Sequence, residues 1–275
     1  MEYHTLSRLG FFSVIFVVVA LWEAFAARRR LTTSKRSRWA TNGVMIALNP
    51  PALRLLFPLL AVDMALMAQQ RGWGLLNNYE LPGWVELLLG IAVLDFVMYI
   101  QHVMFHAVPM LWRLHMVHHA DLDIDLTTGL RFHPIEIVIS MGIKLSAVVV
   151  FGPSPLAVLV FEIVLNGAAM FNHGNISIPP GLDRLLRYII VTPDMHRVHH
   201  SIYPTETNTN FGFNLPWWDR LLGTYRAQPR DGHQGMKIGL LQFRNPRELT
   251  LLQLLIMPFA GKPGNYAISR RGKTK

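Results

Sequence analysis

The 275-residue chain contains no cysteine. Disulfides, thiolate metal ligands, iron–sulfur clusters and cysteine nucleophiles are therefore all excluded, and any bound metal must be held by nitrogen and oxygen. Charge is also scarce, since only 16% of the residues are charged, whereas typical soluble domains contain about 25%. Together with 51% hydrophobic residues and a mean hydropathy of +0.29, this scarcity predicts a membrane protein.

The net charge of +9 does not indicate a nucleic-acid partner. The basic residues form neither an isolated tail nor a patch interleaved with aromatic side chains. They lie in loops between apolar stretches, which is the pattern of cytoplasmic loops in membrane proteins. We therefore expect the membrane as a partner and no nucleic acid.

Five apolar stretches are long enough to be membrane spans: 10–27, 43–68, 84–106, 135–151 and 155–171. A cleavable signal peptide is the rival interpretation of the first stretch, but it would leave three arginines at the start of the mature chain. Pro50 and Pro51 predict a kinked or interfacial first half of the second stretch. The last two stretches are separated by three residues, which favours a hairpin. The apolar segment 249–260 is too short to span and is expected to lie in the interface.

The distribution of lysine and arginine predicts the orientation of the chain. Loop 28–42 contains six of these residues, loop 69–83 one, the turn 152–154 none and segment 172–248 nine. Cytoplasmic loops are rich in basic residues. The N-terminus is therefore expected outside the cell. The segments that contain most of the histidines are expected on the cytoplasmic face.

Eight of the twelve histidines fall into three groups. Residues i, i+3 and i+4 of a helix share a face, and imidazole is the commonest biological metal ligand. Eight rings exceed the needs of one ion, so the spacing predicts a two-metal site. A lone histidine is more often a hydrogen-bonded core residue, which is the first interpretation of His4, His133, His173 and His233. The three groups are His102 and His106; His115, His118 and His119; and His196, His199 and His200.

The spacing does not name the metal, because nitrogen sites accept zinc, iron and copper. Zinc would activate water and give a membrane hydrolase, whereas redox-active iron would activate oxygen. A hydrolytic zinc ion typically has three protein ligands, fewer than this chain supplies for two ions. A non-catalytic metal-binding or transport protein is a third interpretation, but a transporter places its ligands near the middle of the membrane. The position of the groups at the ends of apolar segments favours a lipid substrate.

From residue 95 to residue 225 the chain resembles the membrane-bound fatty acid hydroxylase superfamily, also called the sterol desaturase family. The similarity is strongest to the branch of alkylglycerol monooxygenase-like proteins. It rests on the order and spacing of seven segments: 102–106 (HVMFH), 115–119 (HMVHH), 127–134 (TTGLRFHP), 171–175 (FNHGN), 192–200 (TPDMHRVHH), 210–212 (NFG) and 218–225 (WDRLLGTY).

The apolar stretches, the charge distribution and the resemblance together predict an all-α, multi-pass membrane protein with a cytoplasmic, histidine-rich di-metal cap. We expect an N-terminal transmembrane anchor region (1–83), a fatty acid hydroxylase-like catalytic domain (84–248) and a C-terminal interfacial segment with a basic tail (249–275). The resemblance implies a di-iron oxidoreductase that uses O₂ and two electrons to hydroxylate or desaturate a lipid C–H bond. The electrons are expected from a separate ferredoxin or cytochrome-type carrier with its reductase, and zinc is expected to compete for the site during purification.

By position in the family motifs, the eight grouped histidines are the implied iron ligands, and His173 matches a ninth. The di-iron centre itself is the catalytic group, so no further catalytic side chain is assigned. Metal-bound imidazoles usually donate their second N–H to a carboxylate or carbonyl. The residues considered as possible ligands or as such partners are His133, Asp95, Glu136, Glu162, Asn172 and Asn175.

Overall fold

A computed structural model describes the backbone of residues 2–270 and the side chains of residues 7–269. In this part of the chain every regular segment is a helix, and the only strand-like features are two isolated antiparallel bridges, Ala27 with Ile176 and Ser201 with Ile238. The all-α fold class is therefore confirmed. The side chain of His4 and the last basic residues of the tail lie outside the described residues.

The long helices come from the first two thirds of the chain. They are α1 (Glu2–Phe25), α2 (Lys35–Leu56), α3 (Ala61–Gln70), α4 (Gly83–Ala107), α5 (Pro109–His119), α6 (Pro134–Phe151) and α7 (Pro155–Asn172). Short helices follow: α8 (Pro180–Leu186), α9 (Pro193–His199), α10 (Pro204–Thr207), α11 (Trp217–Leu221), α12 (Gly232–Gly235) and α13 (Leu251–Ala260). Short 3₁₀ helices cover Leu76–Asn78, Thr128–Leu130, Pro246–Glu248 and Ile268–Arg270.

Proline starts many of these helices. Its fixed φ suits the first helical position, where the missing N–H would have no partner anyway. The helices α5 to α10 all begin in this way. A proline in the sequence thus marks the start of α5 and α9, the two helices that carry the histidine triplets.

Within residues 2–270, five helical segments are long and apolar enough to cross a membrane, as the sequence predicts. They cover Ser7–Phe25, Lys35–Gln70, Gly83–Ala107, Pro134–Phe151 and Pro155–Asn172. Large apolar side chains such as Phe11, Val18 and Val150 are exposed on their outer faces, where a bilayer would cover them. The chain is a multi-pass membrane protein.

The second span is interrupted between α2 and α3. Pro50 and Pro51 lie inside α2, which continues to Leu56. The break comes at residues 57–60, where Phe57 is extended (φ −120°, ψ 109°) because the following residue, Pro58, disfavours the helical region. The span therefore consists of two helices, α2 and α3, and the kinked or interfacial first half stays a prediction.

The predicted hairpin between the last two spans is confirmed. Gly152 takes a left-handed φ of 63° at the end of α6, and Ser154 caps α7 by accepting from the Ala157 N–H. Helix α4 packs against both arms of this hairpin and against α5, α3 also packs on both arms, and α1 packs along α7. The shared core of α3, α4, α6 and α7 is built around Ala65, Leu94 and Phe161.

A second core forms between α5 and α13. Trp112 and Met116 of α5 pack with Leu254 and Met257 of α13, while Leu252, Ile256 and Phe259 on the other side of α13 are exposed. A helix that is apolar on both faces, with one face on the protein, suits the interfacial position that the sequence predicts for this segment.

Candidate metal centre

Four helix ends bring the nine candidate histidines together. His102 and His106 lie near the end of α4, and α5 carries its triplet in its last turns. His173 caps the C-terminus of α7, and the remaining triplet ends α9. All nine rings are at most 2% exposed. Helix C-termini carry partial negative charge, so this arrangement favours a cation between them.

The ring nitrogens form two groups, in each of which one nitrogen per ring lies within 4.8 Å of all the others. The two groups cut across the sequence triplets, which helical spacing places on one face. In each triplet the first and last histidines share a group and the middle one belongs to the other. We name them the five-histidine group (His102, His106, His115, His119, His199) and the four-histidine group (His118, His173, His196, His200).

Backbone carbonyls fix the tautomers of three rings. The Nδ1 atoms of His102, His173 and His199 lie 2.7, 2.7 and 2.8 Å from the carbonyl oxygens of Phe211, Ala169 and Thr209. A carbonyl oxygen only accepts, so each Nδ1 carries the proton and donates. The Nε2 atom of each of these rings therefore presents a lone pair to the centre.

Side chains orient two further rings. His115 Nδ1 lies 2.6 Å from Glu136 Oε1, and His106 Nδ1 lies 2.9 Å from Asn208 Oδ1. The Asn208 amide is oriented because its Nδ2 donates to the Tyr266 carbonyl at 2.7 Å. Both rings therefore donate outward from Nδ1, which is the arrangement of metal-bound imidazoles with hydrogen-bonded outer nitrogens.

The inward nitrogens are spaced as ligands of one ion. His102 Nε2 and His115 Nε2 are 3.1 Å apart, and both carry lone pairs, so no hydrogen bond joins them. Two ligands about 2.1 Å from a common metal lie about 3.0–3.4 Å apart. In the four-histidine group, His173 Nε2 lies 3.1 and 3.0 Å from the Nε2 atoms of His118 and His196.

Other inward nitrogens have no protein partner. Among the described residues, the Nε2 atoms of His119 and His199 and both ring nitrogens of His200 are buried without a hydrogen bond. Buried polar atoms are normally paired, and a metal ion satisfies such atoms. The residues present thus fit a two-metal centre.

Burial keeps these rings neutral. It lowers the pKa of His115, His119 and His199 well below the usual value, and the neighbouring imidazoles add to the effect. The pKa of His173 falls to about 3, again because of burial. Metal ligation requires neutral imidazole, so the centre is ready to bind metal at physiological pH.

Of the six residues considered for supporting roles, the structure brings only Glu136 to a ligand ring. Asp95 accepts hydrogen bonds from Asn214 and Trp218 instead, and Glu162 forms ion pairs with Arg8 and Lys144. Neither carboxylate has a recorded contact with a histidine of the two groups.

The two asparagines and His133 also lie outside the histidine groups. Asn172 donates to the Phe213 carbonyl, and Asn175 exchanges hydrogen bonds with Arg29. His133 caps α6 by accepting from the Ile135 N–H, and its Nε2 lies 3.2 Å from the Leu255 carbonyl. All three side chains bond to backbone groups and not to a candidate ligand ring.

Sequence reasoning missed Asn208 and Phe132, both of which contact candidate ligands. Phe132 stacks on His118 with ring centroids 4.5 Å apart and an interplanar angle of 9°. Asn208 lies in a polar stretch with no periodicity, so no spacing singled it out. Phe132 belongs to the 127–134 segment, whose similarity to the family was the available signal.

The Trp-Asp-Arg segment also supports the candidate centre. Asp219 accepts from the Phe211 and Gly212 N–H groups at 2.8 and 2.9 Å, and the Phe211 carbonyl in turn accepts from His102. Arg220 lies over the rings of Tyr188 and Tyr225. Asp219 therefore fixes the turn that orients one ligand.

Arg38 was counted above among the basic residues of loop 28–42. Its side chain forms a buried ion-pair network with the loop that follows α5. Its guanidinium lies 2.7 Å from Asp121 and 2.6 Å from Asp125. Burial alone would raise the pKa of Asp121, but Arg38 and Arg131 hold it well below its usual range. Asp123 accepts from both N–H groups of Thr32 and Thr33. The loop after the α5 triplet is thus tied to the start of α2.

A comparison with protein families identifies the same region. The fatty acid hydroxylase family model matches residues 87–224, which is half of the chain and contains all nine histidines. This chain belongs to the fatty acid hydroxylase family. The superfamily resemblance found in the sequence is confirmed. No solved structure matches the chain.

The relatives that match include hydroxylases, monooxygenases and an aldehyde decarbonylase. Ornithine lipid hydroxylase OlsE of Rhizobium tropici is 33% identical over 150 residues, 54% of this chain and 44% of that protein. Alkylglycerol monooxygenase of Xenopus tropicalis is 32% identical over 160 residues, 54% of this chain and 33% of that protein. Human cholesterol 25-hydroxylase is 26% identical over 144 residues, 52% of each chain. The matches therefore cover about half of each relative or less.

Proposed function

We propose that this fatty acid hydroxylase family member is a membrane-bound di-iron oxygenase that hydroxylates a lipid C–H bond. The observation that carries the proposal is the pair of opposed lone pairs on His102 and His115, 3.1 Å apart in a fully buried site. Such a pair is repulsive unless a cation lies between the nitrogens. The five- and four-histidine groups would each hold one iron ion.

The number of ligands supports iron over zinc. Zinc in hydrolytic sites usually has three protein ligands and a bound water, whereas the two groups here supply five and four imidazoles. Two bound iron ions would supply the reduction of O₂ and the oxidation of the C–H bond. The balance requires one O₂, two electrons and two protons for each hydroxyl group and water formed.

The chain's own residues orient the ligands and admit the lipid. Phe211, Ala169 and Thr209 hold the rings through their carbonyl groups, and Glu136 holds His115. A cavity of about 440 Å³ reaches His102 and His115 and is walled by apolar side chains that include Met98, Met141 and Phe213. Its volume lies within the range of about 300–1,000 Å³ of small-molecule sites. The apolar part of the wall suits a hydrocarbon chain.

We further propose the orientation and partners that the sequence predicts. The N-terminus lies outside and the histidine groups lie on the cytoplasmic face, because the basic residues concentrate in loops on that side. A separate ferredoxin or cytochrome-type carrier with its reductase delivers the two electrons there. The three-part division at residues 83 and 248 remains part of this proposal.

Labelling with heavy oxygen tests the activity. Lipids of cells with and without the protein are compared after growth under heavy O₂ or in heavy water. The expected product is a lipid present only with the protein, heavier than its precursor by one atom of gas-derived oxygen. Oxygen derived from water would contradict the oxygenase and favour a hydrolase. A His102→Ala variant is the matched control and should give no product.

A further inference from the structure

The cavity has a charged end as well as a histidine end. Arg8, Lys144 and Glu162 all line it, and all three lie in apolar membrane-spanning segments. Glu162 pairs with both cations, since its carboxylate oxygens lie 2.5 Å from Arg8 Nη2 and 2.9 Å from Lys144 Nζ. Two positive charges and one negative charge leave this trio with one positive charge in excess.

An excess charge inside a membrane is costly and marks a functional site. Lys144 and Glu162 are only 9% and 6% exposed, whereas the Arg8 side chain is 28% exposed, so solvent reaches the trio only at Arg8. Arg8 also keeps a buried Nε atom with no hydrogen-bond partner among the described residues. Within residues 7–269, the trio thus lacks one balancing anion and one hydrogen-bond acceptor.

The two ends of the cavity are joined by one helix. Lys144 follows Glu136 by eight residues on α6, which corresponds to about 12 Å of helix axis. Glu136 contacts His115, so α6 runs from a ligand ring to the charged trio. Between these two residues, α6 contributes Met141 and Ser140 to the cavity wall. The cavity therefore has a cationic end, a mainly apolar stretch and a histidine end.

We propose that Arg8, Glu162 and Lys144 bind the anionic head group, a carboxylate or a phosphate, of the lipid that this cavity admits. The chain of that lipid runs through the apolar stretch to the histidine groups. The inference rests on the proposed function only where it identifies this second end as the place of oxidation. It also predicts that the oxidised carbon lies at one distance from the head group, whatever the total length of the lipid chain.

Binding to the metal-free protein tests the head-group site without any turnover. The probes are dodecanoate, dodecyl phosphate and dodecanol, measured at alkaline pH in nanodiscs of zwitterionic lipid, with empty nanodiscs correcting for partitioning. We expect one or both anionic probes to bind about tenfold tighter than the alcohol, because charge-assisted hydrogen bonds are about twice as strong as neutral ones. The preferred anion identifies the head-group class. Equal binding of all three probes would overturn the proposal.

Two variants change the charge of the trio in opposite directions. Lys144→Met should weaken the anionic probes about tenfold and leave dodecanol unchanged. Glu162→Gln frees both cations and should tighten the same probes, which a purely structural ion pair would not do. Arg36→Met removes an exposed positive charge outside the cavity and should change nothing. A Glu162→Gln protein that is folded but binds dodecanoate no better than wild type would overturn the site, even if Lys144→Met fails to fold.

The iron-loaded protein gives the second measurement. With anionic amphiphiles of increasing length, the new hydroxyl group should stay at one distance from the head group rather than from the methyl end. If binding follows the charge changes but no lipid is oxidised, the proposed oxygenase fails and the head-group site stands. If lipid is oxidised but neither variant alters anion binding, the head-group site fails and the oxygenase stands.

Discussion

At the scale of single residues, the middle histidine of each triplet crosses to the other group. His118 joins the four-histidine group while His115 and His119 stay in the five-histidine group, and His199 does the reverse. Successive residues of a helix are rotated by about 100°, so positions i+3 and i+4 point to opposite sides of position i. Each triplet therefore lies between the two proposed metal positions and contributes to both.

The crossing predicts how alanine substitutions act. His118→Ala should lower the metal content of the four-histidine group, and His199→Ala that of the five-histidine group. Each should abolish product while the protein stays inserted, because loss of one ligand weakens metal binding and disturbs the geometry that oxygen chemistry needs. Metal analysis of purified protein and lipid mass spectrometry measure the two effects.

His233→Ala is the matched control for both substitutions. His233 is also buried, but it lies 3.6 Å from Asp194 and outside both groups, so metal content and product should match the wild type. Full product formation by the His199→Ala protein would show that α9 does not contribute to the proposed metal centre.

Glu136 should tune the metal through His115. We expect Glu136→Ala to weaken metal binding about 10–100-fold, the usual effect of removing the outer partner of a ligating histidine. Glu136→Gln retains an oxygen that accepts from Nδ1 and should restore most of the affinity. Metal titration of the stripped protein measures both variants. Equal affinities for the alanine and wild-type proteins would show that the 2.6 Å contact has no influence on the metal.

At the scale of secondary-structure elements, the backbone of the 3₁₀ helix Thr128–Leu130 packs closely against the end of α7. A Cβ on Gly129 would meet the Ala169 carbonyl oxygen at 2.2 Å and His173 Nδ1 at 2.9 Å. These two atoms form the hydrogen bond that orients His173. The hydrogen bond that orients His173 therefore requires a residue without a side chain at position 129.

Gly129→Ala should disturb the four-histidine group selectively. We expect the free energy of unfolding to fall by about 1–3 kcal/mol through overpacking and metal to be lost from that group first. Gly142→Ala is the control, since its Cβ would meet nothing within 4 Å. Thermal unfolding and metal content measure the two variants. Unchanged metal content in the Gly129→Ala protein would contradict the role given to this contact.

The positions of helices and turns could be predicted wherever a single local feature of the sequence marked them. Apolar runs predicted all five spans, and the Gly-Pro-Ser turn predicted the α6–α7 hairpin. The α2–α3 break was not predicted, because membrane helices tolerate interior prolines and a proline alone therefore does not mark the end of a helix there. Glu136 was predicted as a ligand partner along with four other polar residues and His133, and only the packing of α6 on α5 separates it from them.

At the scale of the whole molecule, long-range contacts determine the features of the site that residue spacing cannot predict. The sequence predicted the eight grouped ligands because they repeat at helical intervals, and His173 through the family resemblance alone. It could not predict the division into five and four, which depends on how α4, α5, α7 and α9 meet. Asn208 and Asp219 act through distant partners, so no local pattern marks them.

The orientation across the membrane is a prediction for the molecule as a whole. Reporter fusions after Arg38 and after Gln228 should both report the cytoplasm, because segments 28–42 and 172–248 carry six and nine basic residues and such loops stay inside. A fusion after Arg71 should report the exterior. An exterior signal from either of the first two fusions would overturn the orientation and with it the cytoplasmic position of the histidines.

The most direct test of the di-iron proposal is to strip the metal, reload the protein with ferrous iron or zinc, and assay lipid turnover with and without O₂. We expect turnover only with iron, O₂ and a reductant, at about two irons per chain as in two-metal sites. Zinc should bind, because it competes well for imidazole, but should give no hydroxylated lipid. Turnover with zinc alone in the absence of oxygen would contradict the oxygenase and establish a metal-dependent hydrolase in its place.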